Sequence, residues 1–233
     1  MIDAQNKLSH HLVIGGLTIL VALISWWFWD ASISRLLGGI PTVLLFLVMI
    51  IGPIMKLMPS MYQRWGDFPW SWRAELGIWF AVWAVAHTLY VMYSRDGMMD
   101  YILGMSPWAF GALVATLMAI ILAAISFRGA INYLGTEAWK WLQNHFTYVI
   151  WWLSVVHIFD RGLRRPFLRS FVEDGAFESH TLRESISYFF DSMEFIHLVY
   201  VAMIVTVPLL QLLAFVKHVR EYRRKNIEKS VQD

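Results

Sequence analysis

The chain has 233 residues, of which 58% are hydrophobic and 15% charged, and its mean hydropathy is +0.52. This balance lies outside the range of soluble globular domains and indicates an integral membrane protein. The absence of cysteine excludes disulfides, iron–sulfur clusters and thiolate ligands, so metal chemistry would depend on the 8 histidines or on carboxylates. No small-residue cleavage site follows the first apolar stretch, and we expect the first helix to serve as an uncleaved insertion signal.

Six apolar stretches are each long enough to cross about 30 Å of hydrocarbon as a helix, which takes about 20 residues. They cover residues 11–28, 40–58, 75–93, 107–125, 141–159 and 195–216. The sequence therefore predicts an all-α membrane protein, with one domain over residues 1–233 that forms a six-transmembrane-helix bundle. Tryptophans near the ends of the stretches are expected to anchor in the headgroup zone. Pro53 and Pro208 lie within stretches and predict local kinks.

The distribution of basic residues predicts the orientation. One side of the membrane contains the two termini and the loops 59–72 and 127–140. This side, with the helix ends next to the loops, has twelve of the 19 lysines and arginines: Lys7, Lys56, Arg64, Arg73, Arg128, Lys140, Lys217, Arg220, Arg223, Arg224, Lys225 and Lys229. The other side has Arg35, Arg95 and a longer loop, 160–194, in which arginines and acidic residues mix. The positive-inside rule then puts both termini in the cytoplasm. The basic tail 217–233 is expected to continue the last helix, and it either rests on anionic lipid or acts only as the topology signal.

Two histidines lie deep inside predicted spans. His87 follows Arg73 by 14 residues, and His157 follows Gln143 by 14 residues, so each lies about 21 Å from the cytoplasmic side at about 1.5 Å per residue. Both helices run outward, which puts the two imidazoles at the same depth. Two imidazoles from neighbouring helices can hold a planar haem between them, and Ala81, Ala84 and Ser154 leave space for a macrocycle. The alternative is that each histidine only hydrogen-bonds a neighbouring helix.

The other histidines are weaker candidates for haem ligands. His145 precedes His157 by 12 residues and lies about 120° around the helix from it, at about 100° per residue, so it either binds a second haem at a distorted helix end or is solvated. Gln143 shares the face of His157. His197 contacts the haem edge, hydrogen-bonds a haem propionate, or has only a structural pairing with another residue. Solvation is expected for the remaining four: His10, His11, His180 and His218.

Two basic side chains are predicted at the cytoplasmic ends of the helices that carry the histidine pair. Arg73 and Lys140 would bind a haem propionate, a flavin phosphate or a quinone headgroup there. The alternative is that they contribute only to topology and lipid contact. With Gln143 and His145 they form a possible second cofactor site.

Two segments resemble a known family. RAELGIWFAVWAVAH, residues 73–87, and LGTEAWKWLQNHFTYVIWWLSVVH, residues 134–157, are similar in order and spacing to motifs of the ferric-reductase-like transmembrane domain family. Within that family the chain resembles the haem-binding membrane subunit of the periplasmic methionine sulfoxide reductase system. The likeness covers residues 40–160, and it implies that His87 and His157 are the axial iron ligands of the outer haem and that Arg73 belongs to the cytoplasmic cofactor site.

One departure from the family pattern concerns the inner haem. Where the family has a histidine in its LH pair, this chain has Gln143, so a second haem would need His145 as its ligand. Only the short tail 217–233 follows the last span, whereas larger members carry a flavin and nicotinamide domain there. The resemblance therefore implies that a separate flavin reductase or a membrane quinol delivers the electrons.

We expect a multi-pass protein of the bacterial inner membrane that functions as a b-type cytochrome. As an electron-transfer subunit, it would pass electrons from a cytoplasmic reductase or quinol to a periplasmic acceptor that docks on residues 160–194. One haem b is expected and two are possible, with flavin or quinone as further cofactors. Two axial histidines leave no open iron position, so the chain would be the haem-binding component of an oxidoreductase system, with no catalytic residues of its own and no nucleic-acid partner. The alternative is a haem-free membrane scaffold or assembly partner of a larger complex.

Overall fold

The protein is described by a computed structural model that covers residues 8–29, 32–60, 72–94, 106–160 and 195–232. Every regular element in these ranges is helical. The helices, numbered in chain order, are α1 Leu8–Trp29, α2 Ile33–Leu57, α3 Arg73–Tyr93, α4 Pro107–Ile125, α5 Arg128–Leu134, α6 Thr136–Ile158 and α7 Phe195–Gln232. The all-helical prediction is confirmed for the described part of the chain.

Five of these helices are long and apolar enough to cross a membrane: α1, α2, α3, α4 and residues 198–224 of α7. Helix α6 has 23 residues, within the range of 19–38 residues of these five, but Gln143, Asn144, His145 and His157 lower its mean hydropathy. Five of the six predicted spans are thus present as helices long and apolar enough to cross a membrane, and the sixth is present as a more polar helix. The termini's orientation stays a prediction.

Two boundaries differ from the predicted ones. Helix α2 begins at Ile33 rather than near residue 40, because the Ser32 side chain accepts a hydrogen bond from the backbone N–H of Arg35 at 3.4 Å and caps the first turn. The predicted loop 127–140 contains the short helix α5. Gly135 ends α5 with φ of +81°, a backbone conformation that favours glycine, and α6 starts at the next residue.

The core lies where α2, α3, α4 and α6 meet. Helix α2 packs against α1, α3, α6 and α7, while α4 packs against α3 and α6. Buried aliphatic and small residues fill the centre: Leu44, Leu45, Val48, Phe80, Ala84, Ala115, Ala119 and Ile150. The small alanines allow the helix backbones to approach closely.

The long helix α7 continues into the basic tail, as predicted, and it is attached to the end of α2. The Lys217 ammonium donates to the backbone carbonyl oxygens of Lys56 at 2.9 Å and Leu57 at 3.1 Å. These carbonyls belong to the last turn of α2 and have no partner within that helix. A cation there also interacts favourably with the helix dipole, so Lys217 fixes the level at which α7 passes the end of α2.

Helix α1 lies at the periphery and depends on one close glycine contact. A Cβ added to Gly15 would lie 2.1 Å from Cζ2 of Trp79, whereas a Cβ on the next residue, Gly16, would meet nothing within 4 Å. Nearby, the Trp83 indole donates to the Thr18 hydroxyl at 3.1 Å. Gly15 therefore permits the indole of α3 to pack directly against the backbone of α1.

We expect Gly15→Ala to lower the free energy of unfolding by about 1–3 kcal/mol, because the indole must move to admit a methyl group. Gly16→Ala is the matched control and should change it by less than about 1 kcal/mol. Thermal unfolding of the detergent-solubilised protein, followed by circular dichroism, compares the two. Equal midpoints for both variants would contradict this packing.

Candidate functional site

His87 and His157 line the same cavity, which we name the histidine cavity. Its volume is about 370 Å³, and α2, α3, α4, α6 and α7 all contribute to its wall. The two residues come from α3 and α6, and both side chains are half-buried. The position of each histidine along its helix predicts that the two lie at one level of the membrane. The fold adds that they face one common space.

The wall of the histidine cavity is made largely of small residues: Gly38, Gly39, Ala84, Ala112 and Ala115. Gly38 of α2 approaches the ring of His87, because a Cβ added there would lie 3.4 Å from Cε1 and 3.9 Å from Nε2. A larger side chain at position 38 would extend from that point into the space in front of the imidazole. The glycine thus keeps one side of the His87 ring open.

The polar groups of the cavity differ in how their hydrogen bonds are satisfied. The hydroxyls of Thr42, Thr88 and Thr116 donate to carbonyl oxygens of their own helices at 2.8–3.0 Å. By contrast, Nδ1 of His87 is buried and has no hydrogen-bond partner. A buried polar atom without a partner is costly, and a ligand that engages this imidazole would offset part of that cost.

This chemistry fits a haem. A flat apolar macrocycle needs small residues beside it, and its iron takes two imidazole nitrogens from opposite sides. A bare metal ion fits less well, because the described residues contain no group of three or more histidine, aspartate or glutamate side chains that could hold one. The histidine cavity therefore suits a ligand that brings most of its own coordination sphere.

Arg35 and Tyr200 also line the histidine cavity, and the sequence reasoning assigned neither of them to a site. The sequence analysis uses Arg35 only as a charge on one side of the membrane. The sequence does indicate that Arg35 and Gly38 belong to the same surface, since they lie three residues apart and share one face of α2. Hydropathy alone does not show which face of α2 meets α3.

A second and larger cavity, of about 630 Å³, lies where α3 and α6 begin and α4 ends. We name it the basic cavity, because Arg73 and Lys140 line it. Gln143 lines it as well, so three of the four residues predicted for a second cofactor site meet here. Its inner wall is apolar and includes Val48, Leu122 and Ile150.

The Gln143 side chain makes hydrogen bonds within the bundle. Its amide nitrogen donates to Oγ of Ser126 at 2.8 Å and to the carbonyl oxygen of Leu122 at 3.3 Å. The Ser126 hydroxyl in turn donates to the same Leu122 carbonyl at 2.6 Å. Where the family pattern has a ligand, this chain has an amide that ties α6 to the end of α4.

His145 lies away from both cavities. Its side chain is exposed, Nδ1 lies 2.7 Å from the Trp141 carbonyl oxygen, and the ring stacks on the Trp141 indole with centroids 4.3 Å apart. The structure does not bring His145 together with Gln143, Arg73 and Lys140 in the basic cavity. His197 lies in the first turn of α7, and its side chain falls outside the described atoms, as do His180 and the docking loop 160–194 beyond residue 160.

The two cavities are neighbours in the core. Leu45 and Phe80 line both of them, so side chains of α2 and α3 form a common wall. A ligand in one cavity is therefore separated from the other cavity by a single layer of side chains.

A buried acid near the start of α3 was missed by the sequence reasoning. The Glu75 side chain is fully buried, and its Oε1 lies 3.2 Å from Nδ1 of His10 in α1. The His10 ring also lies 5.2 Å from the Trp72 ring. His10, expected to be solvated, is instead mostly buried, because it supplies a partner for this carboxylate.

A double-mutant cycle measures the His10–Glu75 interaction. Because both groups are largely removed from solvent, we expect a coupling free energy of about 1–3 kcal/mol between His10→Ala and Glu75→Gln. Thermal and denaturant unfolding of the four proteins in detergent give the value. Strictly additive effects would show that the two side chains do not stabilise each other.

No protein-family model, curated protein or solved structure matches the chain. The resemblance in residues 73–87 and 134–157 thus rests on the sequence motifs alone.

Proposed function

We propose that this protein is a transmembrane electron-transfer subunit, a b-type cytochrome that holds one haem between His87 and His157. The observation that carries the proposal is that both histidines, from α3 and α6, line one cavity bordered by small residues. Imidazole pairs on facing helices are a general means of binding haem within a helical bundle. The resemblance to the ferric-reductase-like transmembrane domain family points the same way.

The proposed architecture has six spans, with α6 as the sixth. Its 23 residues cover about 34 Å at about 1.5 Å per residue, enough for about 30 Å of hydrocarbon. The low hydropathy of α6 is compatible with a span, because Gln143 and His157 line cavities while Val149 and Trp152 are exposed on its outer side. Both termini are assigned to the cytoplasm of a bacterial inner membrane on the distribution of lysine and arginine.

Six residues of the histidine cavity have proposed tasks. His87 and His157 hold the iron, and Gly38 and Ala84 leave room beside the ring. Arg35 and Tyr200 are suited to hydrogen-bond a propionate at the rim. The bound haem would supply one-electron chemistry, and two imidazole ligands restrict it to outer-sphere transfer.

We assign one haem rather than two. The Gln143 amide is committed to Ser126 and Leu122, and His145 faces away from the basic cavity. Electrons would come from a cytoplasmic flavin reductase or a membrane quinol and would pass to a periplasmic acceptor. We assign the docking site of this acceptor to the loop 160–194.

The second candidate function is a haem-free scaffold or assembly partner. The bonds of Gln143 favour it, because a position that binds metal in the family pattern serves packing here. This alternative requires that the histidine cavity binds no haem.

Reduction and reoxidation of the purified protein test the proposed function. We expect a Soret band in the oxidised protein, a shifted low-spin spectrum after addition of a short-chain quinol or dithionite, and reoxidation by a soluble outer-sphere acceptor. Absence of a Soret band after expression with adequate haem would contradict the cytochrome and favour the haem-free scaffold. A band that neither reductant shifts would contradict electron transfer.

A further inference from the structure

The basic cavity has the composition of a binding site for an acidic amphiphile. Arg73 and Lys140 bring two cationic side chains to its lining, and none of the described lining residues is an aspartate or glutamate. Two cationic side chains among apolar neighbours produce a positive potential in the cavity, which attracts anions. The electrostatics of the cavity therefore favour an anion.

The polar part of the lining is rich in donors. Nε1 of Trp139 is buried and has no hydrogen-bond partner, and an indole nitrogen can only donate. The amide nitrogen of Gln143 is already used by Ser126 and Leu122. A ligand that accepts a hydrogen bond from Trp139 and also contacts Arg73 and Lys140 must offer several acceptor oxygens, as a phosphate or carboxylate does.

Lys140 is available to such a ligand at small cost. Its ammonium lies 2.9 Å from Oε1 of Glu137, but the two side chains are 54% and 89% exposed. An exposed pair of this kind contributes little to stability. Loss of the contact with Glu137 therefore does not prevent the lysine from binding another oxyanion.

The rest of the lining is apolar and extends into the bundle. Phe80 lies two turns along α3 from Arg73, about 10 Å at about 1.5 Å per residue. Leu45, Ala119 and Ile150 complete this inner part. The cavity thus joins a cationic end, where α3 and α6 begin, to an apolar interior that fits part of an acyl chain.

We propose that the basic cavity binds an anionic phospholipid, with its phosphate between Arg73, Lys140 and Trp139 and part of an acyl chain against Phe80. The charge of the rim and its position at the ends of two helices favour an anionic lipid over a zwitterionic one. Since Leu45 and Phe80 also line the histidine cavity, the bound chain supports the wall that separates the two cavities.

The test compares lipids on the purified protein. Detergent-delipidated wild type is incubated with phosphatidylglycerol, with phosphatidylcholine of the same acyl chains, or with inorganic phosphate, and retained lipid and the unfolding midpoint are measured. We expect phosphatidylglycerol to be retained at least about tenfold more strongly than phosphatidylcholine and to raise the midpoint. Equal retention of the two lipids, or the same midpoint shift with inorganic phosphate alone, would overturn the assignment.

Charge-removing variants locate the site. Arg73→Gln/Lys140→Gln should lose the preference for phosphatidylglycerol. Arg220→Gln/Arg223→Gln is the matched control, since it removes the same charge from exposed positions of α7 outside the cavity lining and should keep the preference. Retention that falls only in the control would place the lipid on the tail and overturn the proposal. The wild-type comparison remains decisive if the first variant does not fold.

The outcome is independent of the electron-transfer proposal. Lipid retention is measured with or without haem, so absence of a Soret band would leave the lipid result unchanged.

Discussion

Replacing either His87 or His157 by alanine is expected to remove the haem from the purified protein. Each substitution deletes one of the two proposed iron ligands, and no other histidine lines the histidine cavity among the described residues. We expect at least about a tenfold fall in haem per chain, since loss of groups that merely support a metal ligand already costs about 10–100-fold. The Soret absorbance relative to protein content gives the measurement.

His145→Ala is the control for these variants. Its exposed ring contacts Trp141 and lines neither cavity, so the variant should keep its haem. Full haem content in both His87→Ala and His157→Ala would show that the ligands are misassigned. Loss of haem in His145→Ala together with a wild-type count of two would restore His145 as the ligand of a second haem.

Filling the space beside His87 is expected to have the second largest effect. In Gly38→Leu, the added Cβ would lie 3.4 Å from Cε1 of His87. The carbons beyond Cβ would then occupy space next to the imidazole ring. Overpacking of this kind costs about 1–3 kcal/mol, which corresponds to about a 5- to 150-fold loss of haem affinity. Haem titration of the apoprotein, followed at the Soret band, measures the change.

Two further substitutions separate haem binding from folding. Gly38→Ala should retain most of the affinity, because a Cβ at this position makes only an ordinary contact. Gly16→Leu adds the same side chain to an exposed face of α1 and should bind haem like the wild type. Wild-type affinity in Gly38→Leu would argue against a macrocycle beside α2.

The apolar helices were predictable because membrane crossing requires a long apolar run, and each such run can be identified in the sequence without knowledge of the others. Helix α6 shows the limit of that rule. Its inward-facing Gln143 and His157 lower its average hydropathy, although the outer side carries exposed Val149 and Trp152. An average over a helix does not separate its two sides.

The histidine pair was predictable from depth, because a fixed rise per residue converts sequence spacing into position along a helix. Gly38 and Arg35 were not predicted, since their role depends on which face of α2 packs on α3. The same limit explains Glu75 and His10. They lie 65 residues apart, and only the packing of α1 against α3 brings them together.

The haem content of the purified wild-type protein tests the central claim most directly. Extraction as the pyridine haemochrome, compared with protein determined by amino-acid analysis, gives the number of b haems per chain. One haem per chain is the predicted result, with His87 and His157 as its ligands. A value of zero after expression with adequate haem would contradict the claim and leave the histidine cavity without its proposed cofactor.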